Sequence, residues 1–374
     1  MARLAAGIRK RKDGTLEKRF TINGKRYSAY GKTNKEVNEK EHEIREKLKQ
    51  GIYTDNRNIT FDGYFKEWIE RKKSQVKEST VYSYSCYYNH LISPELGSRK
   101  LQQLERRELF LFREKLAGQH SPTHVNQTFK VLRMILNDAV TDDILLKNPA
   151  LGMKALKNTE TPAVKTKHRA LTEHEQKIFM EAARSNYCYE LMAILLLTGM
   201  RQGEAAALTW NDIDYKSNVI HITKTRTITN KGNAKIGDSP KTDSSIRDIP
   251  MNDTIRKILK LQKEKMALIN GTVIIPFNQR IFSTQRDGLI NSQTLGRAID
   301  SVLDQLEKEG THIERFTAHC FRDTFATRFI EQGGNPQTLK KILGHSSLAM
   351  TMDLYSHVLP NTKQKEMDLM QISV

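Results

Sequence analysis

Five short clusters in the second half of the chain hold residue types that together suit one reaction. They are Thr198-Gly199-Met200-Arg201-Gln202-Gly203-Glu204, Pro240-Lys241-Thr242, His319-Cys320-Phe321-Arg322, Leu343-Gly344-His345, and Thr351-Met352-Asp353-Leu354-Tyr355-Ser356-His357. Singly, each has an ordinary explanation. His319 and Arg322, spaced i and i+3, are neighbours on one helix face. Gly199 and Gly344 suit turns or close backbone approach, and Tyr355 alone reads as a core tyrosine. Jointly they contain the parts for metal-free transfer of a DNA phosphodiester to a protein hydroxyl. The diester is anionic, so an enzyme without a metal must neutralise its non-bridging oxygens with fixed cations. Arg201 and Arg322 suit that task, because a guanidinium donates in a planar fork and stays protonated. Tyr355 is the nucleophile, forming an aryl phosphodiester close enough in energy to the DNA bond for the step to reverse. Lys241, on a hairpin, protonates the leaving 5′ oxygen. His319 and His345 are of the residue type that relays protons or donates to a phosphate oxygen. Of twelve tyrosines, Tyr355 is the only one after Tyr215, so a nucleophile downstream of both histidines has no competitor.

The rest of the chain must bring these clusters to one place and hold a polyanion there. The 374 residues carry 61 Lys and Arg against 43 Asp and Glu, a net charge of +18 that points to a polyanionic partner or, blandly, to a solvated basic surface. Residues 1–32 hold ten of the cations against Asp13 and Glu17. That stretch reads as two strands, Leu16 to Ile22 and Lys25 to Tyr30, joined by Asn23-Gly24, a strong hairpin signal. A helix is expected from Asn34 to about Leu48, with Val37, Ile44 and Leu48 on one face. Such a sheet suits groove binding. Residues 49–58 read as a linker. From 60 to about 150 the chain reads as all-helical: Phe61, Tyr64, Phe65 and Trp68 fall at helical spacing, Ser79-Thr80 and Ser121-Pro122 are helix starts, and Val125, Phe129, Leu132, Leu136 and Ala139 form an apolar stripe. Met153 to Arg169 reads as a flexible basic connection. Thr172-Glu173-His174-Glu175 is a capping box that opens a last unit, mainly helical, with a small antiparallel sheet between Val219 and Pro250 that turns at Gly232 and Gly237.

The fold class expected is therefore multidomain and mainly α, with units at 1–50, 59–152 and 168–374. The longest apolar run, Leu191 to Leu197, is far shorter than the roughly 20 residues of a membrane span, and no secretory signal is read at the start. Three separated cysteines, Cys86, Cys188 and Cys320, argue against a disulfide framework or zinc site. A cytoplasmic protein with no metal and no cofactor is the expectation.

The clusters resemble those of the tyrosine recombinases, or phage integrase family. TGMRQGE is similar to the family's first-arginine motif, with Glu204 as the acidic companion. PKT resembles its hairpin lysine, HCFR its H-x-x-R, LGH its second histidine, and LYSH its nucleophile. All five stand in the family's order. One departure is Asp323, where many members carry a histidine. The resemblance implies an arm-type DNA-binding domain at 1–50, a SAM-like core-binding domain at 59–152 and a catalytic domain at 168–374. It implies cleavage through a 3′-phosphotyrosine, a Holliday junction resolved within a homotetramer on double-stranded DNA, and no need for ATP or a divalent metal. It also implies core and arm attachment sites, with a host DNA-bending protein and an excisionase as partners in a bacterial host. Arg9, Lys10, Arg11, Lys12, Arg19, Lys25, Arg26, Lys165, Lys167 and Arg169 are the candidate DNA contacts. The tail after Val358 is expected to dock in trans on a neighbour. Within the same chemistry a type IB topoisomerase is the alternative, and outside it a non-catalytic DNA-binding protein or a metal nuclease.

Overall fold

The computed structural model describes residues 7–11, 13–22, 25–49, 59–157, 169–229, 231–237, 246–271, 275–276, 278–284, 288–345 and 347. The chain separates into two compact units, Met1–Glu160 and Thr161–Val374. The division falls inside the second of the two expected linkers.

The first unit opens with strands β1 (Ile8–Lys10), β2 (Leu16–Ile22) and β3 (Lys25–Gly31), antiparallel in that order, followed by helix α1 (Asn34–Lys49). The register runs from Leu16 opposite Gly31 to Ile22 opposite Lys25. It leaves only Asn23 and Gly24, which lie outside the described residues, for the connection the hairpin signal requires. Strand β1, which the alternation did not reveal, extends the hairpin. Side chains alternate across a strand, so Ile8, Leu16, Phe20 and Ala29 share the face that buries Val37 of α1. Gly31 permits the close approach of α1, since a Cβ there would lie 2.9 Å from the Cβ of Glu36.

A second apolar cluster in the same unit belongs to α2 (Phe61–Lys73), α3 (Glu78–Tyr87), a wider π-type helix at Tyr88–Gly97, α4 (Arg106–Ala117) and α5 (Pro122–Thr141). Ser121 caps α5 ahead of Pro122, and the five residues of the expected stripe are all buried. Ser79 and Thr80 are not caps. The helix starts at Glu78, and the Lys77 carbonyl takes the amides of Thr80 and Val81, so the first turn closes through the backbone. Tyr64 and Tyr88 are core residues whose hydroxyls donate to Asp142 at 2.7 Å and Asp62 at 2.9 Å. Burial and those carboxylates push both phenols up, the opposite of what a nucleophile needs. The start of the expected basic connection is docked rather than free. Asn126 exchanges two hydrogen bonds with the backbone of Leu156, and Met153 is buried against the helices.

The second unit contains α6 (Glu173–Ala182), α7 (Tyr189–Thr198), the single turn α8 (Gln202–Ala205), strands β4 (Ile213–Asp214), β5 (Val219–Ile222), β6 (Thr225–Ile228), β7 (Ala234–Gly237) and β8 (Arg247–Pro250), then α9 (Asp253–Asn270), α10 (Ser292–Lys308), α11 (His319–Glu331) and α12 (Pro336–Leu343). Where one sheet was expected there are two, ordered β4-β5-β8 and β6-β7. Gly232, at φ 85°, lies between β6 and β7, and Gly237 is the last residue of β7, with the residues that follow it outside the described ones. Helix α7 is apolar on nearly every side. Leu191 to Leu196 are all buried, with α9 and α11 packed on it, so it is the axis of the unit. Among the described residues no helix is long and apolar enough to cross a membrane.

The capping box forms as its spacing requires: Thr172 accepts from the amide of Glu175, and Glu175 accepts from the amide of Thr172. Arg169 joins it at 2.7 Å from Glu175, which fixes where the unit begins. Thr172→Ala should lower stability by about 1 kcal/mol, read as a shifted denaturant midpoint; an unchanged midpoint would show that Arg169 alone holds this end.

Candidate active site

Three of the five sequence clusters, those of Arg201, Arg322 and His345, converge on the end of α12. Asn335 caps the start of this helix, and Gly344, in left-handed backbone at φ 65°, ends it. A helix leaves its last carbonyls without intrahelical donors and gathers partial negative charge there. Three arginines from three other elements answer that need on consecutive residues. Arg247 of β8 donates Nε–H to the Ile342 carbonyl. Arg322 of α11 donates Nη2–H to the Leu343 carbonyl at 2.8 Å. Arg201, the N-cap of α8, donates Nη2–H to the Gly344 carbonyl at 3.2 Å.

The second arm of Arg322 donates to the Gly199 carbonyl at 2.7 Å, two residues before Arg201. Gly199 ends α7 at φ 61°, and a Cβ there would lie 2.4 Å from the Phe325 ring and 2.7 Å from the Leu343 side chain. Backbone and space both demand glycine, so α7, α11 and α12 meet at this turn. Gly203 has a related role, since a Cβ would lie 2.9 Å from the Thr225 hydroxyl. It lets α8 pack against β6, the strand that begins the excursion toward Lys241.

Glu204 holds the arginines in register. Only 2% exposed, it accepts from the Arg201 amide at 2.8 Å and from Arg201 Nη1 at 2.9 Å, and from Arg247 Nη1 at 3.1 Å and Nη2 at 2.8 Å. Burial acts to raise its carboxyl, but the hydrogen bonds and charge of Arg247, with the amide and charge of Arg201, hold it below the usual carboxylate range. Arg322 is 4% exposed and its partners are carbonyls. Burial, and then repulsion from Arg201, push its guanidinium down to about 9, which leaves it protonated at neutral pH. A buried cation with a cationic neighbour is stabilised by an anion. Arg201, whose side chain is 42% exposed, makes that position reachable from solvent.

His319 is the first residue of α11, with its side chain 61% exposed and Nε2 3.8 Å from Asp323 Oδ1. The expected i, i+3 spacing on one helix is present, and along it the structure buries Arg322 and leaves His319 open. Asp323, in the place of the family's histidine, is buried beside it. His345 follows Gly344 directly and its amide bonds the Lys340 carbonyl at 3.2 Å. Lys241, Tyr355 and the tail after it lie outside the described residues. The structure therefore brings together Arg201, Arg322 and the His345 turn, with His319 on the same helix as Arg322. Arg247 was not recognised from sequence. Its signal is the strand period: Arg247 and Ile249 share a face of β8, and a charge on an inward face needs a partner.

The candidate DNA contacts divide by face. In the register of the N-terminal sheet, Arg9, Glu17 and Tyr30 stand across from one another, as do Arg19 with Ser28 and Thr21 with Arg26, all on the face away from α1. Glu17, nearly inaccessible, bridges Arg9 at 2.7 Å and Arg19 at 2.8 Å, and hydrogen bonds chiefly from Arg19, then Arg9, hold its carboxyl down to about 2. Arg11 lies over the Tyr30 ring. Lys10 pairs with Leu16, on the other parity, and for Lys25 only its backbone pairing with Ile22 is described. Lys12, Lys165 and Lys167 lie outside the described residues. Arg169 is paired with Glu175 and Glu314 and covers the Phe316 ring, so it pins the start of the second unit rather than presenting a free charge.

Residues 169–362 match the phage integrase family, and residues 60–117 match the phage integrase N-terminal SAM-like domain. A tyrosine recombinase XerC-like protein of Caldanaerobacter subterraneus is 28% identical over 91% of this chain and 90% of its own. The integrase of transposon Tn1549, solved with a circular intermediate DNA, has the same fold at TM-score 0.67 and 23% identity, over 83% of this chain and 99% of that one. The lambda integrase tetramer bound to a Holliday junction superposes at TM-score 0.57 and 18% identity, over 95% and 96%.

Gly199→Ala should lower stability by roughly 1–3 kcal/mol through overpacking at a left-handed position. Urea unfolding measures it; a loss under about 0.5 kcal/mol, the ordinary scatter of surface changes, would mean that the turn moves freely.

Proposed function

The chain belongs to the phage integrase family, the tyrosine recombinases that cut and rejoin DNA by strand exchange, and from this we propose that it integrates and excises a mobile element or prophage through a 3′-phosphotyrosine intermediate and a Holliday junction. The observation that carries the assignment is the meeting of Arg201 and Arg322 at the Leu343-Gly344-His345 turn. Three guanidinium groups there outnumber the carboxylates of Glu204 and Asp323, so the site is cationic before substrate arrives.

In our assignment the scissile phosphate sits before Arg201 and Arg322, which donate to its non-bridging oxygens and neutralise charge that grows in the transition state. The Tyr355 oxygen attacks phosphorus as its proton passes to one of the two histidines. The bond to the 5′ oxygen breaks, and that oxygen takes a proton from Lys241, leaving a 3′-phosphotyrosine and a 5′ hydroxyl. His319 and His345 donate to phosphate oxygens and relay protons. Attack by a 5′ hydroxyl of the partner strand reverses every transfer, so no ATP enters. Preorganisation favours this reading: the arginines are fixed by carbonyls and Glu204 rather than by substrate, so little reorganises as charge develops.

We assign residues 1–50 to arm sites, 59–152 to core sites and 168–374 to catalysis. The open face of β1–β3 places Arg9, Arg19 and Arg26 together, a pattern suited to a DNA groove. The working assembly is a homotetramer on two core sites, with a host DNA-bending protein and an excisionase setting direction. The enzyme acts where its substrate lies, in the host cytoplasm.

A nicked suicide duplex carrying the attachment site, which traps the covalent intermediate, tests these roles. Wild type should give a protein–DNA band and Tyr355→Phe none; a band from that variant overturns the nucleophile. Arg201→Ala and Arg322→Ala should keep most DNA affinity, supplied by the wider basic surface, while cleavage falls on the order of 10²–10³-fold. Equal losses of binding and cleavage would refute that division. Deleting residues 1–50 should leave cleavage of isolated core sites and abolish integration on a full attachment substrate; unchanged integration removes the arm-binding role.

A further inference from the structure

Arg247 is among the most buried cations of the second unit, with a side chain 5% exposed, and nothing in its bonding resembles a surface ion pair. Both of its terminal nitrogens bond Glu204, at 3.1 Å and 2.8 Å, and Nε bonds the Ile342 carbonyl two residues before Gly344. It therefore touches, at once, the carboxylate that orients Arg201 and the turn that leads to His345. It stands at the start of β8, directly after the stretch of chain that carries Lys241.

We propose that Arg247 is a positioning residue of the strand-exchange site, holding Glu204 as a shared carboxylate so that Arg201 keeps its full charge for the phosphate, and tying β8 to the end of α12. This rests on the catalytic reading of Arg201 given above. A lone Arg201–Glu204 pair is neutral overall, and its guanidinium attracts a phosphate weakly. With Arg247 the triad carries one net positive charge, and Glu204 divides its lone pairs between two forks. The geometric part is separate. Lysine matches the charge of Arg247 but cannot reach Glu204 twice and Ile342 once, because its ammonium is a compact point donor.

The charged groups of this cluster are Arg201 at the N-cap of α8, Arg247 on β8, and Arg322 and Asp323 on α11; β6 carries Arg226, whose backbone lies against Gly203, and α12 carries Lys340 and Lys341 in its last turn. Of these, Arg247 and Arg201 bond the carboxylate directly. Loss of Arg247 removes the larger support for the charged form, while burial, which favours the protonated form, remains. In that variant Glu204 takes up a proton as pH falls and lets go of Arg201.

The test uses the full chain as wild type, Arg247→Lys, Arg247→Gln, Glu204→Gln and the Arg247→Gln/Glu204→Gln double variant. Covalent adduct formation on the nicked duplex is followed from pH 8 to pH 5, with DNA binding measured in parallel. Arg247→Lys should cleave on the order of 10²-fold more slowly, the effect of misplacing a reacting group by about an ångström, at nearly wild-type DNA affinity and with a rate ratio to wild type that does not vary with pH. For Arg247→Gln the ratio should fall further as pH falls, and in the double variant that added slope should vanish. A slope that persists in the double variant, a pH-independent ratio for Arg247→Gln, or a wild-type rate for Arg247→Lys would each overturn the proposal.

Thermal unfolding of the same proteins separates this inference from the catalytic reading beneath it. Glu204 has a depressed pKa in the wild-type fold, so its stabilisation is fully present from pH 8 to pH 5 and is lost only below the unfolded carboxylate pKa. In Arg247→Gln, by contrast, burial favours the protonated carboxyl, and that fold gains stability as it takes up a proton on the way to pH 5. The melting gap between wild type and Arg247→Gln should therefore narrow from pH 8 to pH 5, and the gap between Glu204→Gln and the double variant should not. A wild type that forms no adduct but shows this narrowing would sink the catalytic assignment and leave the Arg247–Glu204 coupling standing. A gap that does not change with pH sinks the coupling whatever the activity.

Discussion

The end of α12 is the constraint around which the second unit is built. A helix terminus must find donors for its last carbonyls, and here the carbonyls of Ile342, Leu343 and Gly344 take them from Arg247, Arg322 and Arg201. Each guanidinium arrives on a different element, so satisfying one helix end aligns β8, α11 and α8. The three guanidinium groups are thereby gathered at one helix end. Gly199 makes this compatible with packing, because any side chain there would occupy the space of Phe325 and Leu343. What reads in sequence as separate motifs is one structural unit with a helix C-terminus at its centre.

The two units handle arginine with the same device in different solvents. In the N-terminal sheet, Glu17 bridges Arg9 and Arg19, both more than half exposed, on a face open to water. Salt screens charges there, and the exposed guanidiniums are available to a long partner. In the second unit, the buried Glu204 bridges the buried Arg247 and the part-exposed Arg201, and around the buried pair fields are stronger and an unpaired charge is costly. The first arrangement suits many weak contacts with a polyanion. The second suits one strong contact with a single phosphate whose charge changes during reaction.

Local signals were legible where neighbours in sequence decide the outcome. The pairing of Ile22 with Lys25 is the one that the Asn23-Gly24 signal called for, Thr172 with Glu175 started α6, and Ser121-Pro122 started α5. Ser79-Thr80 misled because capping residues are only a preference, and backbone donors to the Lys77 carbonyl closed the turn one residue earlier. The basic stretch from Met153 to Arg169 looked featureless by composition, yet its described ends are docked. Asn126, 30 residues away, holds Leu156, and Glu314, 145 residues away, holds Arg169. Those partners are set by tertiary contact and leave no local trace.

By itself the sequence determined the residue types available to this protein: two arginines, two histidines, a lysine and one late tyrosine, in the order of the phage integrase motifs, and a basic N-terminal hairpin. Residue type and spacing suffice for that, because they state which groups exist and roughly which element carries each. Only the tertiary structure decided how the charges are shared. It buried Arg322 while leaving His319 exposed on the same helix, paired Arg169 with acids, and brought Arg247 to Glu204 across 43 residues of chain. Ionic and hydrogen-bond partners at a buried site are chosen by which helix ends and strand faces meet in space, and spacing along the chain carries no record of that choice.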